Sequence, residues 1–291
     1  MSDKNIKPAV LQSIQRRVNH PYVEVLNRGN SAILIALMKL GGSGDSGPVT
    51  IFIPEEGGWM TYEKYAANLG MNVVKIKCSS AMIDIMDLRN KLSESQTGNQ
   101  NGEANKEKKI FIYHALGAYC AEQPIKDLYR VCQEHGCKVI MDVCGTFGTE
   151  LCDGEHADIC LASFSKWKPV DYGQGGFISF KDDELYRESK PLFSAFTFQG
   201  DYSELLGKID EVEERIQFLV ERRKEIVDDL EKFEILYPHS KHALVVIIRY
   251  KNDMDKLRVI SYCTKCQLEY TECPREIRVM QDSISVEVKR L

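Results

Sequence analysis

The chain has 291 residues, 43% hydrophobic and 28% charged, with a formal net charge of −5. That length holds one large domain with a smaller one appended, and the composition is that of an ordinary globular protein. Basic residues never concentrate beyond two or three in a row, which argues against nucleic acid as a partner, and the longest apolar run, AILIALM (32–38), is too short to cross a bilayer.

Apolar strands alternate with amphipathic stretches over the first 180 residues. YVEVL (22–26) reads as a strand, and SAILIALMKL (31–40) as a helix stopped by the turn-rich GGSGDSGP. VTIFIP (49–54) is a buried-type strand, YEKYAANLG a helix ending at Gly70, and NVVKIK (72–77) another strand. IFIYHAL (110–116), KVIMDV (138–143), ICLASF (159–164) and GGFISF (175–180) continue the series, with IKDLYRVCQEHG as a helix stopped at Gly136. This alternation predicts an α/β fold, a mostly parallel central sheet with helices on both faces. The stretch SESQTGNQNGEANKEKK (93–109) has no apolar residue but Ala104 and reads as an exposed, mobile loop.

After residue 200 the pattern changes. Leu205, Ile209, Val212, Ile216, Leu219, Ile226, Leu230 and Phe233 recur mostly three and four apart, which predicts one long amphipathic helix. ALVVIIRY, a helix-like DMDKLRVISYC and two short strands around REIRV and SISVEV complete the chain. The expected organisation is a large domain at 1–200, a long connecting helix at 201–234 and a small C-terminal α/β domain at 235–291.

The N-terminus, MSDKNIKPAV, lacks the apolar core of a signal peptide, so a cytoplasmic protein is expected. Ten cysteines are then expected to be reduced, and seven lie in or beside apolar segments as small hydrophobes. Cys263 and Cys266 of CTKC, with Cys273, could offer three thiolates to a metal, but no fourth ligand is evident and no metal site is assigned.

Open α/β sheets bind ligands at the carboxyl ends of their strands, and four polar elements stand at such ends. Asp142 closes KVIMD, where an aspartate also serves as a helix cap or turn residue. Ser163, Lys166 and Lys168 follow the next strand and precede GQGG; the plain alternative is a solvated basic loop. Asn30 and Ser31 in NRGNSAIL open a helix whose first amides can bind a phosphate, although an ordinary N-cap explains them too. Trp59 follows a strand end and two glycines, so its ring is expected at a site mouth rather than in the core. Together these suit pyridoxal 5'-phosphate. That cofactor needs an anion cup for its phosphate, a carboxylate at its ring nitrogen, an aromatic against its ring and a lysine for its aldehyde.

Over residues 22 to 230 the sequence resembles the DegT/DnrJ/StrS-type sugar aminotransferases, among the fold type I pyridoxal-phosphate enzymes. RGNSAILIAL is similar to the family segment that opens the phosphate-binding helix, and IFIPEEGGW…ANLGMNVVKI to its strand, stacking aromatic and helix. IYHALG, EHGCKVIMD and SFSKWKPVDYGQGG resemble its histidine turn, its aspartate strand and its Ser-Phe-x-x-x-Lys-x-x-x-x-Gly-Glu-Gly-Gly motif, and VERRKEI a segment of its long helix.

The resemblance implies an aminotransferase that moves an amino group from a small-molecule donor to a keto acceptor, a keto-sugar nucleotide or something smaller. It implies Lys168 as the Schiff-base lysine, with Lys166 as the rival register. It further implies Asp142 at the ring nitrogen, Trp59 stacked on the ring, Asn30, Ser31 and Ser163 at the phosphate, and a homodimer. The sequence departs from the family at Gly145, where a glutamine is usual, and at Gln174, where a glutamate is usual. Two other readings stand beside this one. The first is a lyase or sulfur-transfer enzyme, motivated by Cys120 and Cys144; the second is a cofactor-binding regulator that has lost catalysis.

Overall fold

In the computed structural model, which describes residues 6–42, 47–95 and 107–291, the chain begins with α1 (Ile6–Val18), β1 (Tyr22–Leu26) and α2 (Gly29–Gly41). β2 (Val49–Pro54), α3 (Thr61–Asn68) and β3 (Asn72–Ile76) come next. A hairpin of β4 (Cys78–Ser79) and β5 (Met82–Ile83) leads to α4 (Ile85–Glu94) and β6 (Lys108–His114). A second hairpin, β7 (Leu116–Gly117) and β8 (Ala121–Glu122), leads to α5 (Ile125–Glu134) and β9 (Cys137–Asp142). β10 (Ile159–Ser163), β11 (Gly176–Phe180), α6 (Asp183–Phe193), α7 (Tyr202–Asp210) and α8 (Val212–Asp229) follow. The remainder holds β12 (Glu234–Leu236), β13 (Val246–Arg249), α9 (Asp253–Lys265), β14 (Tyr270–Cys273) and β15 (Ser283–Val286).

Seven strands form the main sheet in the order β1-β11-β10-β9-β6-β2-β3. The pairs from β10 through β3 are parallel, and β11 runs antiparallel to both its neighbours. This is the mostly parallel α/β sheet that the alternation predicts. Because side chains alternate along a strand, each strand feeds two cores. Ile51, Ile53, Ile110, Ile112, Ile140, Ile159 and Ile178 face α2, α3 and α6, while Phe52, Phe111, Tyr113, Val139, Met141 and Phe177 face α1, α4, α5 and α7. Burial on both faces explains why these strands read as continuous apolar runs.

A second sheet, β12-β13-β15-β14, is antiparallel and carries its own core. α8 joins the two cores, with Val212 and Ile216 in the main one and Leu219 and Ile226 in the second. The expected single helix is in fact two, since α7 and α8 meet at Glu211. The apolar stripe runs through that break in phase, so periodicity cannot reveal it. REIRV is a turn and not a strand; the pairing strand, β14, precedes it. Three helices, α1, α4 and α6, lie where no element was anticipated. Most of the 93–109 stretch lies outside the described residues, and its described ends close α4 and open β6.

Candidate active site

The carboxyl ends of the parallel strands meet the start of α2 in a cavity of about 570 Å³, lined by Asn30, Trp59, Asp142, Ser163, Lys168 and others. The walls are drawn together by glycine. A Cβ on Gly29 would stand 2.7 Å from Cβ and 3.0 Å from Cα of Ser163, so only glycine lets α2 start against the end of β10.

Asp142 ends β9 directly opposite His114, the last residue of β6. The carboxylate is 3% exposed, accepts from the Tyr62 hydroxyl at 2.6 Å and accepts from the Cys144 amide at 2.9 Å. Both oxygens are therefore held in place, and an ionised carboxylate keeps further acceptor capacity for a ligand. His114 is buried beside it and hydrogen-bonds the Leu116 carbonyl through Nδ1, leaving Nε2 as an acceptor without a partner. Burial lowers its pKa, so the ring is neutral.

The loop after β10 separates its two lysines. Trp167 adopts a left-handed backbone (φ 67°) and its amide is held by Asp171, so the chain turns between them. Lys166 is exposed at the rim, while Lys168 is half-buried and donates to the Tyr119 hydroxyl. Its ammonium lies 5.8 Å from the Trp59 ring centroid. Burial alone would depress the Lys168 pKa, but Tyr119, Cys144 and Asp142 outweigh it and raise the value. Tyr119 is itself set by strain. Ala118 and Tyr119 both have positive φ (53° and 64°) in a tight turn closed by the Cys120 amide on the Gly117 carbonyl. Two non-glycine residues in that conformation cost free energy, and such strain collects at functional sites.

Trp59, 38% exposed, stands at the mouth as expected, and its indole N–H donates to Asn30 Oδ1 at 2.9 Å. Ser163 also lines the cavity, its hydroxyl tied to that of Ser165 at 3.0 Å. Ser31 is placed differently. Its hydroxyl donates to Asn27 at 2.7 Å, and its side chain is buried away from the cavity wall. No side chain caps the start of α2, and although the Ser31 amide turns back on the Arg28 carbonyl at 3.2 Å, the positive end of the helix favours an anion. Gly145 also has a physical account. A Cβ there would meet His114 at 2.9 Å and the Tyr119 ring at 3.0 Å, so these two rings, 4.6 Å apart, fill the space that a glutamine would enter. An anion cup, a fixed carboxylate, an aromatic face and an amine on one wall fit pyridoxal phosphate.

Sequence reasoning missed the residues that reach the cavity from the second sheet, namely Arg278, Lys289 and Arg290. Arg278 arrives through the turn at 274–281, which docks on the loop after β2, where Glu56 accepts from the Met280 amide and the Gly57 amide donates to Glu276 O at 2.7 Å; Lys289 and Arg290 follow β15, where the Lys289 amide donates to Leu244 O at 2.9 Å. No local pattern marks them, because the contacts that place them are non-local, closing over more than 200 residues at the 274–281 turn. Of the cysteines weighed earlier, Cys144 lines the cavity and Cys120 does not. Burial pushes the Cys120 thiol up to about 12 and the Cys144 thiol higher still, so both are protonated at neutral pH. Among the described residues, no group of three His, Cys, Asp or Glu side chains is placed to hold a metal ion, and no helix is long and apolar enough to cross a membrane.

Solved structures share this fold across nearly the whole chain. An SPT holding its PLP internal aldimine superposes with a TM-score of 0.72 at 12% identity, covering 99% of this chain and 71% of that one. 3-Amino-5-hydroxybenzoic acid synthase gives 0.73 at 14% identity, covering 98% and 85%. A chain of the SepCysS–SepCysE N-terminal domain complex gives 0.73 at 14% identity, covering 98% and 80%. No curated protein matches by sequence. The model of the DegT/DnrJ/EryC1/StrS aminotransferase family matches residues 12–209, a span that begins within α1, ends within α7 and holds Asp142, Ser163 and Lys168. That match spans more than half of the chain, which therefore belongs to the DegT/DnrJ/EryC1/StrS aminotransferase family, whose members depend on pyridoxal phosphate.

Proposed function

We propose that the protein is a pyridoxal-phosphate-dependent aminotransferase in which Lys168 is the catalytic lysine, passing an amino group from a small-molecule donor to a keto acceptor. The observation that carries this reading is that the Lys168 ammonium, the Asp142 carboxylate and the Trp59 ring line one cavity, the ammonium 5.8 Å from the ring centroid. When bound, the cofactor supplies the electron sink that lets a proton leave the carbon bearing the amine. The chain's own residues do the rest. The first-turn amides of α2 and the Ser163 hydroxyl hold the phosphate. Asp142 keeps a proton on the ring nitrogen, with Tyr62 and the Cys144 amide fixing its orientation. Trp59 covers the ring, and Asn30 fixes the indole.

Lys168 takes and returns the proton at the substrate carbon, and Tyr119 orients its Nζ. In the cofactor-free protein Tyr119, Cys144 and Asp142 favour the charged lysine, so there it stands as an ammonium. Asn30 acts as a positioning residue for Trp59, and Ser31 for Asn27. A homodimer is part of the same reading, supported by the family resemblance alone, and a cytoplasmic location is part of it too, supported by the composition of the first ten residues. Borohydride reduction of protein mixed with pyridoxal phosphate, followed by peptide mass mapping, tests it. A pyridoxyl group on Lys168 is expected; one on Lys166, or none at all, overturns the assignment.

A further inference from the structure

The cavity is cationic in a chain that is net acidic. Arg28, Lys166, Lys168, Arg278, Lys289 and Arg290 all line it, and Asp142 is the one carboxylate among its lining residues. These cations are not equivalent. Arg278 is fully committed, its guanidinium gripping Glu287 through Nε at 3.0 Å and Nη2 at 2.5 Å with both side chains buried. Lys289 is 5% exposed, and its nearest carboxylate oxygen, on Glu287, is 3.7 Å away, beyond hydrogen-bond reach. Arg290 spends Nη1 on Glu269, while its buried Nε has no hydrogen-bond partner and stands 3.9 Å from Glu287. Three cations thus share one buried carboxylate, and the first has taken it. A buried ammonium without a hydrogen-bonded partner is costly, and an anionic ligand relieves that cost.

The cluster is also held in shape. The Lys289 amide donates to Leu244 O at 2.9 Å, and the Leu244 amide donates to Tyr119 O at 2.8 Å, so the lysine is tied to the loop that orients Lys168. Lys168 and Lys289 both lie 4.9 Å from the Tyr119 ring centroid. Arg290 packs on the Trp167 ring at 4.5 Å, between the two lysines of the catalytic loop in sequence.

We propose that Lys289 and Arg290 form an anion subsite that holds a carboxylate or phosphate of the substrate beside Lys168, whereas Arg278 is a structural cation neutralised by Glu287. The proposal rests on the aminotransferase reading and narrows it to donors or acceptors that carry a second anionic group. The two sources of that group, a carboxylate and a phosphate ester, share the chemistry and are separated by the probes below.

The test is calorimetric binding of glutarate and of inorganic phosphate to protein already loaded with pyridoxal phosphate, in the wild type, Lys289→Met and Arg290→Gln. Loading is followed separately by cofactor absorbance, and folding by thermal melting. One probe is expected to bind, and each substitution is expected to weaken it roughly 10- to 100-fold, as for a lost hydrogen bond between charged groups. Tighter glutarate assigns a carboxylate, and tighter phosphate a phosphate ester. Arg290 is partly exposed, so Arg290→Gln keeps the test valid if the buried Lys289→Met variant is unstable. Equal affinity in variants and wild type, or no binding of either probe to loaded protein, overturns the subsite. If the wild type takes up no cofactor yet binds a probe that the variants lose, the subsite stands and the aminotransferase reading falls.

Discussion

The Tyr62 hydroxyl donates to Oδ2 of Asp142 at 2.6 Å, across a contact that links α3 to the end of β9. Both groups are buried, and burial with the facing carboxylate pushes the Tyr62 pKa well up, so the phenol is a permanent donor. Asp142→Asn is expected to remove the charge that holds a proton on the cofactor ring, lowering kcat on the order of 100-fold or more. Tyr62→Phe keeps the charge and loses only its orientation, so a smaller fall, about 10-fold, is expected. Steady-state kinetics with cofactor saturation checked by absorbance would separate the two. Equal losses would mean that Asp142 acts only as a partner for Tyr62.

Lys168 and Lys166 make a paired control. Lys168→Ala is expected to abolish transamination, because among the described residues no other amine hydrogen-bonds the Tyr119 hydroxyl. Lys166→Ala removes an exposed rim side chain, and activity is expected to fall less than about 10-fold. A single-turnover assay on both variants checks this, and the reverse pattern would move the catalytic lysine two residues upstream.

The contrast between these lysines and the residues from the second sheet shows what the sequence could reveal. Asp142, Ser163 and Lys168 sit at strand ends, and strand ends are readable because an apolar run stops and a polar residue follows. Trp59 was readable for the same reason. Ser31 was legible as a helix-start residue, but which way its hydroxyl turns depends on Asn27, four residues back, and the helix-start pattern does not say. Tyr119 lies inside GAYC, which looks like an apolar filler segment; its role comes from a left-handed turn without glycine. Arg278 is brought in by the docking of Glu56 and Gly57 against the 274–281 turn, and Lys289 and Arg290 by the segment after β15, where the Lys289 amide donates to Leu244 O; neither contact has a periodic signature.

Glu287 anchors that late-arriving cluster, and its removal is expected to cost the fold more than the site. The Arg278 and Lys289 cations hold its carboxyl down at about 2 despite burial, well below an unfolded glutamate. A depressed acid contributes stability above its unfolded pKa, near 4.3, and loses it as pH falls through the folded value. Unfolding by acid is therefore expected to steepen between about pH 4 and pH 2. Glu287→Gln leaves Arg278 buried and unpaired, and a loss of about 3–5 kcal/mol is expected. Denaturant titrations of wild type and variant at pH 7 and pH 3 check both statements, since the difference between them should shrink at the lower pH.

Lys289 has the opposite sign. Burial, with Lys168, Arg278 and Arg290 nearby, lowers its pKa to about 7 even though Glu287 opposes the shift. The rings of Tyr119 and Trp167 complete its surroundings. Between about pH 7 and its unfolded value near 10.4, the unfolded chain binds a proton that the folded chain does not, so this residue makes stability rise with pH. Below pH 7 the folded state carries the charge at its full desolvation cost. Lys289→Met is accordingly expected to raise Tm by a few degrees at pH 6 and by less at pH 10. Thermal melts across that range check the slope; a gain that does not depend on pH would mean that packing, not charge, sets the effect.

Gly145 carries the last expectation. In the family a glutamine usually stands at this position, yet here the space beside it belongs to the rings of His114 and Tyr119, packed at a tilt of 51°. Even one methyl meets His114 Cε1 at 2.9 Å and Tyr119 Cδ1 at 3.0 Å, both from buried rings that cannot swing into solvent. Tyr119 is the softer of the two, because its turn is already strained, and it is expected to yield. Gly145→Ala should therefore cost about 1–3 kcal/mol as an overpacked core position. Gly145→Gln should go further and withdraw the Tyr119 hydroxyl from Lys168. The consequence to measure is the Lys168 pKa, read from the pH dependence of its reaction with an amine-specific reagent in cofactor-free protein. Tyr119 is the first of the groups that raise that value, so the variant's pKa should fall toward the one burial alone imposes. An unchanged pKa would show that Tyr119 keeps its place and that the glycine is there for a different contact.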